Sequence, residues 1–228
     1  MIRQFARVAW IVMQKDLTVE VRSREILSTT VFFAISCVLV FAFALVRDGR
    51  TVVDAAAGIL WIAIAFSGTL ALGRTFERER YTDTLRALLL APADRPAIYV
   101  GKLLAIVAMI LVAEMLLVPL VALLFQAALF SQPLLLAGIL LTGTLGFGAV
   151  GTLFAAMLVR ARSRDVLLPV LLYPITIPVI IGGVRGTSAL LAEPADVAMA
   201  QFWLALLSFF DVVFVMLSLW TFEPLMTD

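Results

Sequence analysis

Six apolar stretches, near residues 26–45, 54–73, 103–125, 134–158, 166–184 and 202–222, dominate this chain of 228 residues. Each approaches the roughly 20 residues needed to cross a hydrocarbon layer about 30 Å thick. Backbone N–H and C=O groups left unpaired in lipid are too costly for irregular chain, so each stretch is expected to be a helix. Composition agrees, since 63% of the residues are hydrophobic and mean hydropathy is +1.10. A soluble domain of this length does not bury that much apolar surface. The expected fold is an all-α polytopic membrane protein, one domain over 1–228, with the lipid bilayer as its solvent.

The first 25 residues differ in character. Ile2, Phe5, Ala9 and Met13 share one helical face, while Arg3, Arg7, Gln14 and Lys15 lie mostly elsewhere. No short apolar core with a small-residue cleavage site follows the basic start, so a signal peptide is not expected. An interfacial amphipathic helix over 1–25 fits better, with Trp10 at headgroup depth.

Lys and Arg set the orientation. Segments 1–25, 74–102, 160–165 and the tail hold five, six, three and none; segments 46–53, 126–133 and 185–201 hold two, none and one. Fourteen against three places both termini, the 74–102 loop and the RARSRD turn in the cytoplasm, and a Gly182–Ala200 loop outside. The net charge of +1 gives no basic face for nucleic acid.

The 74–102 segment is far longer than a turn needs. Tyr81, Leu85, Leu88 and Leu89 recur at helical spacing, with Asp83 and Arg86 on the other side and Pro92 and Pro96 closing the run. A short surface helix presented to something in the cytoplasm is expected. The run Glu77, Arg78, Glu79, Arg80 reads either as a solvated helix end, whose pairs are worth only tenths of a kcal/mol, or as a docking patch. Its position at the opening of the large cytoplasmic loop favours docking.

Chemistry is sparse. The sequence has no histidine and one cysteine, Cys37, inside an apolar run. That removes the commonest metal ligand, haem ligand and general base, and any intramolecular disulfide. Gly101–Lys102 lacks the upstream glycine of a phosphate loop, so ATP, if used, is bound by another chain. Glu114 and Asp211 lie inside expected spans, where a carboxylate is expensive and usually faces the bundle interior or a cavity. Each reads as a substrate or proton contact, as a conformational clasp, or as a hydrogen-bonded packing element. Asp211 has a further explanation, that the last span begins later. Thr144, Gly148, Thr152 and Ala156 repeat every four residues, the spacing that lets helix backbones approach closely. Pro169, Pro174 and Pro178 should kink or break the fifth span.

An amphipathic elbow, six spans and a surface helix between spans two and three resemble an ABC-2-type permease, the membrane half of an ABC exporter. The run over 58–105 resembles more closely the haem exporter protein B (CcmB) family of bacterial cytochrome c maturation, through Gly58, Ile59, Trp61, Glu77, Leu85, Leu88, Pro92 and Lys102. The proline-rich stretch 167–183 is similar to the family's fifth span. The resemblance implies a non-catalytic permease subunit of the bacterial inner membrane, paired with a second copy of itself and with the ATPase CcmA. It also implies work with CcmC, CcmD and the haem chaperone CcmE. It places a coupling helix near Thr82–Leu90, with Glu77, Arg78, Glu79, Asp83, Leu85, Leu88 and Pro92 as the ATPase-coupling residues. No cofactor is expected in this chain; ATP is held by the partner and haem is handled by the complex. A general exporter of a lipid, drug or glycan, and a scaffold that moves nothing, are the alternatives.

Overall fold

A computed structural model describes residues 2–47, 50–81, 94–158, 161 and 163–225. Among them are seven long helices: α1 (Ile2–Ser23), α2 (Glu25–Ala44), α3 (Ala56–Tyr81), α4 (Arg95–Phe125), α5 (Pro133–Met157), α6 (Arg164–Leu191) and α7 (Val197–Leu225). Helices α2 to α7 supply six segments long and apolar enough to cross a membrane. The expected spans are therefore present in the expected order. Between α2 and α3, Val46 pairs with Thr51 and Arg47 with Arg50 as a minimal antiparallel ribbon.

Helix α5 is the centre of the bundle and packs on both α6 and α7 as well as on α3 and α4. Its small residues make this possible. A side chain at Gly148 would press on Val107 and Leu103 of α4, at 3.1 and 3.2 Å. Thr144, Thr152 and Ala156 on the same stripe are buried. The four-residue repeat is a helix-packing face toward α4, as its spacing predicts.

Trp61 of α3 is the largest fully buried side chain. Its ring lies against Gly143 of α5 and Gly183 of α6, where a Cβ would collide with it. Its indole N–H donates to Thr187 Oγ1 at 3.0 Å. The buried polar end of the ring is thus satisfied, as a tryptophan in a dry core requires. Tyr99 repeats the device by donating to the Ala149 carbonyl at 3.0 Å, tying α4 to α5.

Several expected boundaries move. Helix α4 begins at Arg95 with a proline in its first turn, so Pro96 opens the third span instead of closing a surface helix. Proline is tolerated there because the first-turn N–H groups have no intrahelical partner. Helix α6 runs unbroken through Pro169, Pro174 and Pro178, so the expected break is absent. Helices packed alongside let a membrane helix tolerate interior prolines. Helix α6 also continues to Leu191, so 182–191 is helix and not external loop. Gly182 and Gly186 mark contacts with Leu207, Ile139 and Trp203 there, and their presence reflects packing, not a turn. Helix α7 starts at Val197, which places Asp211 well inside it and removes the explanation that the last span begins later.

Candidate functional site

The expected coupling segment is only partly described. Glu77, Arg78 and Glu79 lie on the last helical turns of α3. Asp83, Leu85, Leu88 and Pro92, with the Thr82–Leu90 helix itself, lie outside the described residues. What the structure places is the pair of helix ends that carry this segment, and each end is tied to another helix through a buried cation, Arg164 of α6 at one end and Lys102 of α4 itself at the other.

At the α3 end, Arg164 reaches back from the first residue of α6. It is 4% exposed, and its guanidinium donates to the Gly73 carbonyl. A planar, permanently charged fork suits a backbone oxygen in a partly dry setting. Arg74, the next residue, makes an exposed ion pair with Glu25 of α2 at 3.6 Å, a contact of little energetic weight.

At the α4 end, Lys102 donates to Asp16 Oδ2 of α1 at 2.8 Å. The lysine side chain is 2% exposed and the aspartate 9%. Lys15 lies 3.0 Å from the other oxygen of Asp16. Gly101 lets the two helices meet, because a Cβ there would sit 2.6 Å from the Ala9 carbonyl. The packed face of α1 therefore runs through Ala9, Val12, Asp16 and Glu20. Trp10 is 59% exposed, on the outward side, as an interfacial helix requires.

The α1–α2 corner is built as deliberately. Arg24 takes a left-handed conformation, φ 53°, between the two helices. Glu20 Oε1 then accepts from the Leu27 N–H at 2.7 Å. A carboxylate on the first amides of a helix satisfies donors that lack intrahelical partners.

The two intramembrane carboxyl groups approach α5 from different helices. Glu114 of α4 accepts from the Thr144 hydroxyl. Its other oxygen, Oε2, has no hydrogen-bond partner among the described residues. Asp211 of α7 lies against Gly146, where a Cβ would be 2.6 Å from Oδ1, and that oxygen also lacks a partner among them. Thr144 and Gly146 are two positions apart on one helix, so the carboxyl groups meet roughly opposite sides of α5 and do not form one constellation. No cluster of three or more His, Cys, Asp or Glu side chains suited to a metal occurs among the described residues.

Asp16, Lys102 as a buried residue, and Arg164 are the members of interhelical ties that sequence reasoning missed. Lys102 was legible as the start of a span and Arg164 as part of a basic turn; nothing local marks either as the member of a buried tie.

The family model described as CcmB protein matches residues 7–224. "Heme exporter protein B" of Escherichia coli strain K12 is 30% identical over 96 residues, which are 42% of this chain and 44% of that protein. The proteins of the same name from Escherichia coli O157:H7 and Shigella flexneri align equally, each 30% identical over 96 residues. The aligned stretch thus covers less than half the length of these relatives. The family match covers nearly the whole chain and spans all six of the long apolar helices, and on that ground the chain belongs to the CcmB family.

Proposed function

We propose that this chain is the membrane permease subunit of an ABC transporter complex for cytochrome c biogenesis. It has an ABC-2-type fold, sits in the bacterial inner membrane with both termini cytoplasmic, and pairs with a second copy. It performs no catalysis. ATP is bound and hydrolysed by a partner ATPase, CcmA, which docks on the 74–102 segment. Work done there reaches CcmC, CcmD and the chaperone CcmE, and releases haem-loaded CcmE from CcmC.

The observation that carries this reading is the pair of buried cations at the two ends of the docking segment. Arg164 ties the α3 end to α6, and Lys102 ties the α4 end to α1. A push on the segment cannot move α3 and α4 alone; it is passed to α6 on one side and to the interfacial helix on the other. Transmission requires that the two nucleotide states of the partner differ in their contacts to this segment. The mechanical role is favoured over ligation of haem because the sequence holds no histidine, the commonest axial ligand.

The test is deletion and complementation in the organism of origin. Membrane proteins are stained for covalently bound haem while the haem load on CcmE is measured. Loss of c-type cytochromes with accumulation of haem-loaded CcmE is the expected result. Loss of cytochromes with empty CcmE would place the protein in haem delivery instead. Normal cytochromes would sink the reading and leave a general exporter.

A further inference from the structure

The corner between α1 and α2 leaves a groove of about 590 Å³. That size lies within the range of small-molecule sites, about 300–1,000 Å³. Its walls are apolar: Leu17 and Val21 of α1, Leu27 of α2, and Met109, Val112 and Leu116 of α4. Its polar lining comes from Glu20, Arg24 and Ser28 at the corner. Glu20 is engaged in holding the start of α2. Arg24 is different. It is exposed and has no carboxylate within ion-pair distance among the described residues.

Arg24 also stands at a backbone position that favours glycine. Left-handed conformation is strained for an L-residue, and asparagine or glycine adopts it most readily. An outlier of this kind is a pointer to function when something else gains from the residue. Here the gain is a cation at the mouth of an apolar groove, where the interfacial helix turns into the first membrane span.

We propose that this groove holds a membrane phospholipid, with an acyl chain along Leu27, Val112 and Leu116 and the phosphate on Arg24. The geometry separates the two halves of such a molecule as the groove separates its linings. A phosphate accepts from a guanidinium through charge-assisted, often bidentate hydrogen bonds. The apolar walls receive the chain on the side that faces the bilayer. The nearby carboxylates, Glu20 within the groove and Glu25 beside it, disfavour a headgroup of purely negative charge. A zwitterionic headgroup such as phosphatidylethanolamine meets both signs.

The experiment uses the full chain purified in mild detergent, and native mass spectrometry counts phosphatidylethanolamine retained at rising collision energy. Two variants divide the site. R24G keeps the left-handed backbone without strain and removes the cation. V112W fills the apolar half. The wild type is expected to retain one lipid, and each variant to lose it about tenfold more readily, the loss of roughly one charge-assisted hydrogen bond for R24G. R24G should keep or raise the thermal midpoint, which separates lipid loss from misfolding. Retention by R24G equal to wild type, or retention by V112W, overturns the site. So does a wild-type protein that carries no phospholipid, or cross-linking of V112C between two copies, which would show that a second chain covers the groove.

Discussion

Replacing Asp16 with alanine should be the most damaging single change at the α1–α4 contact. Lys102 is 2% exposed, and its ammonium lies 2.8 Å from Asp16. Removing one partner of a buried pair costs about 3–5 kcal/mol, because the remaining charge stays out of water. The reverse change, K102M, should cost less, about 1–3 kcal/mol. Asp16 is nearer the surface at 9% exposure and keeps Lys15 at 3.0 Å. The double variant D16L/K102M removes both charges and fills the space with apolar atoms, so it should return to within about 1 kcal/mol of wild type.

The assay is the fraction of monodisperse protein surviving stepwise heating in detergent or nanodiscs. At about 2–4 °C per kcal/mol for a chain of this size, D16A should lower the midpoint by at least about 6 °C. The cycle closed with the D16L single variant should give a coupling of at least about 3 kcal/mol between the two positions. Additive effects, with coupling below about 0.5 kcal/mol, would show that the pair is not formed in the folded protein. A K102M variant weaker than D16A would refute the reasoning about which partner's loss costs more.

Three further outcomes are expected. Charge reversal across Glu77, Arg78 and Glu79 should leave the chain folded and membrane-inserted but abolish covalent haem staining of c-type cytochromes in complementation, while the co-purified ATPase keeps turning over; intact cytochromes would remove this patch from coupling. G143A and G183A each drive a methyl group into the Trp61 ring and should cost about 1–3 kcal/mol by overpacking, whereas G73A, with open space at its Cβ position, should be close to neutral; thermal midpoints of the three compare them directly. E114Q preserves the acceptor for Thr144 and should stay within about 1 kcal/mol of wild type, while E114A strands the buried hydroxyl and opens a void, costing about 2–4 kcal/mol; if haem staining fails in E114Q at unchanged midpoint, the carboxyl has a role beyond packing.

How much of this was legible depends on whether the signal was local. The spans are local: about 20 apolar residues in lipid have one solution, and the helices appear where hydropathy places them. The α5 stripe is local too, since Thr144, Gly148 and Thr152 repeat with the helix itself. Glycine and proline mislead when read by soluble-protein habit. Gly182, Gly183 and Gly186 look like a loop, yet they lie within α6 and admit Leu207, Trp61 and Ile139. Pro96 looks like a stop, yet it opens α4. The buried ties were invisible for a different reason. Lys102 and Asp16 are 86 residues apart, and Arg164 and Gly73 are 91 apart, so no window contains both partners.

The same cations were nonetheless counted, because each adds to the basic bias that sets topology. A lysine or arginine at the end of a membrane helix thus has two physical uses, holding the loop on one side of the bilayer and tying that helix end to a neighbour. Counting charges sees only the first. The two uses separate by experiment, since topology follows the sum over a loop while a tie depends on one geometry. K102R keeps the count but replaces a compact ammonium by a wider fork in a site where the lysine is 2% exposed. It should therefore preserve the orientation of every span, read by cysteine accessibility on either side of the membrane. It should still weaken the α1–α4 contact. If K102R were as stable as wild type, Lys102 would be acting as a topology marker alone, and the mechanical link from the 74–102 segment to α1 would have no anchor at that end.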